Sequence, residues 1–245
     1  MRNIKLTLAY DGSCYHGWQR QENALTIQEL VERAILKITG EKADVIGCGR
    51  TDAGVHARAY ICNFRTNTKI PAERLPYALN TRLPDDVVCY SAEDMDLDFH
   101  AKYSAKKKCY TYYICDREFP DVFSHSWHYH FRLDIGKMNK AAEAFIGTHD
   151  FIGFAASGFT VKTTVRTIYS LTVKREENGL VRIDVVGNGF LYNMVRIIAG
   201  TLCFVGSGKL AAEDMPDIVA SCDRKRAGMT APPDGLFLTE VYYEE

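Results

Sequence analysis

Residues 49–57 read Gly-Arg-Thr-Asp-Ala-Gly-Val-His-Ala, and the two glycines allow a tight, exposed loop whose reactive side chains are Arg50 and Asp52. A carboxylate is ionised at neutral pH and can serve as a nucleophile, a base or the countercharge to a developing cation. In a plain turn the same aspartate would only bond its own backbone. A second group lies downstream. Lys102, Lys106, Lys107 and Lys108 fall within an acid-free stretch, beside Tyr103, Tyr110, Tyr112 and Tyr113. Cations for phosphates and rings for bases suit RNA; lysines also guard solvated strand edges. A third group is His125, His128 and His130 in Ser-His-Ser-Trp-His-Tyr-His. Three imidazoles are a zinc set and supply a rival reading, a metal-dependent hydrolase. Against it, no carboxylate is adjacent, and an extended segment turns His128 and His130 to one face and His125 to the other.

Positioning these groups requires regular elements. Ile4, Leu6, Leu8 and Tyr10 alternate as a half-buried strand. Ile27, Leu30, Val31, Ala34, Ile35 and Ile38 then recur on one helical face, opened by a Thr26/Glu29 capping box and closed by Gly40. Strands follow at 44–49 and 56–65, a short helix at 72–80 and a strand at 86–92. The order strand, helix, strand, strand, helix, strand recurs as a strand at 107–115, a helix at 134–146, strands at 163–175 and 180–187 joined through Asn178-Gly179, and a helix at 190–204. An extra helix at 211–222 precedes a last strand at 236–243. The expected fold class is α+β: two ferredoxin-like (βαββαβ) halves, 1–104 and 105–245, sharing an antiparallel sheet. The first half carries the Asp52 loop and the second carries Tyr110.

Composition excludes several classes of function. Of 245 residues, 47% are apolar and 25% charged, so the chain can bury a core without disulfides or structural metal. The net charge is -1, from 30 basic and 31 acidic side chains, and each half is balanced by itself. No global argument for a nucleic-acid binder or polybasic membrane anchor survives, which leaves local patches. The eight cysteines form no C-x-x-C pair and read as buried thiols of a reducing cytoplasm. No apolar run approaches a membrane span, and no P-loop or dinucleotide fingerprint occurs. A non-catalytic RNA-binding module of the same topology is a third reading, but its RNP-type aromatic signature is not evident.

The loop at 49–57 resembles the active-site signature of the tRNA pseudouridine synthase A family. Further motifs of that family recur in order: Tyr10-Asp11-Gly12 and Tyr15-His16-Gly17-Trp18-Gln19, Asn80-Thr81-Arg82-Leu83-Pro84, Phe99-His100-Ala101, and Tyr110-Thr111-Tyr112. Gly147-Thr148-His149-Asp150-Phe151, the run Gly189 to Arg196, and the run Thr230 to Leu236 complete the series, which spans the whole chain. The resemblance implies the pseudouridine synthase fold and an isomerase converting uridine to pseudouridine at positions 38, 39 and 40 of the tRNA anticodon stem-loop. It implies no cofactor and no metal, and a homodimer around one tRNA; the cytoplasmic location is expected from the thiols and the lack of a membrane span. By the same resemblance Asp52 is the catalytic aspartate, Tyr110 packs against the target base, and Arg50 contacts the RNA backbone and helps displace the nucleotide. Lysines at 102 and 106–108 stand where the family carries arginines, keeping charge and losing bidentate phosphate geometry.

That chemistry suits these residue types. The C1'–N1 bond breaks and a C1'–C5 bond forms, and Asp52 can add to C1', stabilise an oxocarbenium-like centre or take the C2' proton. A carboxylate taken out of water needs a partner, since desolvation favours its neutral form. Arg196 is the candidate, because a guanidinium keeps its charge and grips a carboxylate with two hydrogen bonds.

Overall fold

A computed structural model describes residues 1–118, 125–158 and 161–244; Ser124, which opens the histidine-rich run, lies outside the described residues. The chain forms two compact units, Met1–Lys106 with Phe237–Glu245, and Lys107–Leu236. The last strand, expected in the second half, thus groups with the first.

In the first unit, β1 (Arg2–Tyr10) pairs antiparallel with β3 (His56–Thr66) and with β4 (Val87–Met95). The register sets Ile4, Leu6 and Leu8 against Phe64, Cys62 and Tyr60, all buried, as alternation requires. Behind them α1 (Ile27–Thr39) buries Ile27, Val31, Ala34 and Ile35. Gly40 ends this helix at φ 74°, its N–H on Leu36 O at 2.9 Å. The helix start differs from the expected capping box. The Thr26 hydroxyl is buried with no hydrogen-bond partner among the described residues, and Glu29 pairs with Arg33 at 2.6 Å. The Ile27 and Gln28 N–H groups donate instead to the carbonyls of Gly17 (3.2 Å) and Trp18 (3.0 Å).

The strand expected at 44–49 shrinks to β2 (Ile46–Gly47), because helix side chains take the backbone groups of Val45. Glu32 accepts its N–H at 3.3 Å and Gln28 donates to its carbonyl at 3.0 Å. A 3-10 turn (Ala72–Arg74) leads into α2 (Leu75–Asn80). β10 (Leu236–Tyr242) completes the sheet, setting Phe237 opposite His56 and Leu238 opposite Ala57. This pairing is parallel, which corrects the expected antiparallel sheet to a mixed one. A strand arriving from the far end of the chain is not bound to the direction a hairpin imposes.

In the second unit, β5 (Lys107–Cys115) pairs antiparallel with β9 (Val181–Gly187), which pairs with β8 (Val165–Arg175), which pairs with β7 (Gly147–Asp150). The two-residue β6 (Trp127–His128) lies parallel to β5. Neither β6 nor β7 was expected, since two residues cannot alternate and Gly-Thr-His-Asp is a polar edge. α3 (Ile135–Ala142) starts at Asp134, whose carboxylate accepts the Lys137 N–H at 3.0 Å. α4 (Met194–Gly206) begins later than the expected 190, because Asn193 at φ 59° cannot continue a right-handed helix. It is buried almost all round, and a Cβ on Gly200 would strike the Met229 carbonyl. α5 (Met215–Ala220) follows a 3-10 turn.

Among the described residues, no helix is long and apolar enough to cross a membrane. All eight cysteines are free, and Cys14 and Cys222 are exposed rather than buried.

Candidate active site

Asp52 lies half-buried in the loop between β2 and β3, with Arg50 exposed two positions before it. The loop is held by a second segment, the one that follows β1. Trp18 N–H donates to Thr51 O at 3.2 Å, and Gly54 N–H donates to Tyr15 O at 3.1 Å. The Tyr10 and Thr51 hydroxyls share a hydrogen bond of 2.9 Å. Thr51, adjacent to Asp52, is therefore anchored through both its carbonyl and its hydroxyl. On the other side Val55 N–H closes a turn onto Asp52 O at 3.1 Å, and Gly54 supplies the positive φ of 78°.

Aromatic rings support the loop from below. Tyr60 donates its hydroxyl to Gly49 O, and burial pushes that hydroxyl well above the usual phenol range, so it stays a donor. The Trp18 ring stacks on Tyr60 at 4.1 Å, and Gly47 faces both, since a Cβ there would meet the Tyr60 hydroxyl and come 2.6 Å from Trp18 Nε1. Gly17 sits closest to the reactive residue. It has φ 79°, and a Cβ on it would strike Thr51 O and stand 3.0 Å from the Asp52 carbonyl carbon. His56, at the start of β3, is buried; its Nδ1 accepts the Gly12 N–H at 3.0 Å and lies 3.0 Å from Asp11 Oδ1. Its ring stacks on Phe237 of β10 at 4.6 Å.

The second unit carries Tyr110 and Arg196. Tyr110 stands opposite Val185 on β5, half-buried, with its ring meeting Phe190 edge-on at 5.3 Å and 87°. Tyr112 has the same parity and a different fate. It is fully buried, donates its hydroxyl to Pro232 O at 2.6 Å, and is pushed up in pKa by burial. Of these two rings, Tyr110 alone keeps surface for a base. Arg196, in the first turn of α4, donates Nε–H to Ala231 O at 2.6 Å and Nη1–H to Asn193 Oδ1 at 2.7 Å. Its guanidinium is thus half-buried and oriented, unlike a solvated helix-surface charge.

The histidine run does not form the zinc set considered from sequence. Among the described residues, His125, His128 and His130 are not brought together as ligands. His128 Nε2 bonds Arg117 O at 2.9 Å, and its ring meets that of His130 at 4.5 Å.

The sequence profile of tRNA pseudouridine synthases matches residues 7–104 and 141–244. The chain is 52% identical to the tRNA pseudouridine synthase A of Thermoanaerobacter sp. (strain X514), over 99% of this chain and 100% of that one. This chain belongs to the tRNA pseudouridine synthase A family. It is a tRNA pseudouridine synthase, an isomerase. The enzyme of the same name from Acetivibrio thermocellus is also 52% identical over 99% of this chain and 100% of its own. Among solved structures, a chain from the crystal structure of a Cbf5-Nop10-Gar1 complex aligns with TM-score 0.41 and 13% identity, over 96% of this chain and 48% of that one, too distant to add to the argument. Arg50, Asp52 and Arg196 fall inside the stretches that the family profile matches, and Tyr110 falls between them.

Tyr10, Gly17 and Trp18 are the residues that sequence reasoning missed as parts of the site. They lie in quoted motifs, but their work is done through one hydroxyl, one backbone amide and the absence of a side chain, which residue type does not reveal.

Proposed function

We propose that this tRNA pseudouridine synthase isomerises uridine to pseudouridine at positions 38, 39 and 40 of the anticodon stem-loop with Asp52 as its catalytic carboxylate and without a cofactor. The observation that carries this reading is the anchoring of Asp52 on both sides: a half-buried carboxylate on a fixed backbone can meet the C1' region of a ribose, where a mobile turn could not hold the geometry. The target nucleotide must leave its stack, at a cost of a few kcal/mol. Within the site the N1–C1' bond breaks, the uracil turns, and C5 bonds to C1'. The C5 proton then leaves and N1 gains one, so the reaction needs neither oxidant nor group donor. Asp52 serves this sequence by adding to C1', by facing an oxocarbenium-like centre, or by taking the C2' proton.

Tyr110 stacks on the extruded base, Arg50 contacts the RNA backbone, and Arg196 supplies the site with an oriented positive charge. Replacing Tyr110 by Ala removes stacking worth about 1–3 kcal/mol, so kcat/KM is expected to fall about 5- to 150-fold, with Tyr110→Phe retaining most of it. Undiminished activity of Tyr110→Ala would refute the assignment. With a net charge of -1, one copy is short of positive surface for a whole tRNA, and a homodimer joins the patches of two copies. Sedimentation at micromolar concentration is expected to give a dimer, and a monomer would contradict it. The function as a whole is tested by mapping pseudouridine in total tRNA from cells with and without the protein, where loss confined to positions 38–40 is the expected result.

A further inference from the structure

We infer that Tyr103 is a stacking platform for an unpaired nucleotide of the RNA, at a binding site separate from the Asp52 loop. The inference rests on RNA being the substrate and not on the role of Asp52. Tyr103 is 77% exposed, so it contributes little to the core. Its ring lies 4.3 Å from that of His100, and the Lys102 Nζ sits 5.4 Å from its centroid. His100 is itself locked, because its Nδ1 accepts the N–H groups of Lys102 (3.2 Å) and Tyr103 (3.3 Å).

The segment carrying this pair is stitched to the sheet of the first unit. Asn3 Nδ2 donates to Asp96 O and Phe99 O, Asn63 Oδ1 accepts the Ala101 N–H, and Tyr243 donates its hydroxyl to Ala101 O at 2.7 Å. An exposed ring on so fixed a turn loses little freedom when a base settles on it. His100 also lines a cavity of about 400 Å³, together with Phe99, Lys42 and Arg65. Among the described residues, neither Lys42, Arg65 nor Lys102 is ion-paired with a carboxylate, which leaves their charge for phosphates. The Asp44 and Asp98 carboxylates in the same lining suit amino groups on a base edge rather than a second phosphate. Arg65 lies near the end of β3 away from His56, roughly 30 Å along the strand at about 3.3 Å per residue. The nucleotide bound here is therefore distinct from any held at the Asp52 loop.

The test is direct binding of unmodified tRNA in the Asp52→Asn background, where turnover does not intrude. Adding Tyr103→Ala is expected to weaken Kd about 5- to 150-fold without moving the thermal midpoint, and Tyr103→Phe is expected to restore it. Lys102→Ala should flatten the dependence of log Kd on log salt. Tyr103→Ala binding within about twofold of its parent, or Tyr103→Phe as weak as Tyr103→Ala, overturns the platform. A parent protein that does not bind tRNA at all would overturn the functional reading instead.

Discussion

With Asp52 replaced by asparagine, uridine isomerisation is expected to fall on the order of 10⁴-fold, about 5 kcal/mol of barrier, while folding and tRNA affinity stay as they were. Asparagine keeps the shape of the side chain and its hydrogen-bonding reach. It can neither form an ester with C1' nor hold a countercharge to a cationic sugar. The anchors of the neighbouring backbone, through Thr51 and Val55, are left in place by this exchange. Single-turnover conversion of unmodified tRNA, with circular dichroism and binding as controls, reads the result. Turnover within about tenfold of the unmutated enzyme would remove Asp52 from the chemistry.

The second large effect is expected at Gly17, which touches no substrate. Its φ of 79° costs an alanine about 1–2 kcal/mol, and the new Cβ strikes Thr51 O. Since Trp18 N–H and the Tyr10 hydroxyl at the end of β1 both hold Thr51, the collision is relieved only by moving the residue before Asp52. Displacements near 1 Å at a reacting group cost about 10²-fold in rate. Gly17→Ala is thus expected to lower kcat about 100-fold with little change in KM, and to lower the melting temperature. Single-turnover kinetics beside a thermal melt separates the two losses. Normal kcat in a properly folded Gly17→Ala enzyme would mean that the clamp does not orient the carboxylate.

These two cases mark what was legible in the chain and what was not. Asp52 and Arg50 were visible as the reactive side chains of a glycine-flanked loop, but a plain turn explained them equally well until the family resemblance gave them roles. Gly17, Trp18 and Tyr10 were not visible as parts of the site, because their partners lie more than thirty residues away and the contacts run through backbone atoms or a single hydroxyl. The same division holds in the fold. The 3.6-residue repeat placed α1 and its stop at Gly40, whereas the device at its start was hidden. Thr26 looked like a cap, but the amides it would have served are met by carbonyls from the loop before it. Alternation marked 236–243 as a strand without naming its partner, and the parallel seat beside β3 is a long-range choice that no local pattern encodes. In the second unit, Tyr110 and Tyr112 were equivalent by parity; the resemblance singled out Tyr110, and the burial of Tyr112 against Pro232 is what only the structure adds.

The seat of β10 beside β3 has a consequence for biosynthesis. Phe237, on which the His56 ring rests, is translated long after it, once the whole second unit has been made. The N-terminal sheet therefore cannot close before β10 has been made, and until then a nascent chain carries its reactive loop with the buttress still missing. A chain that stops before Phe237 is therefore expected to present the Asp52 loop without this support.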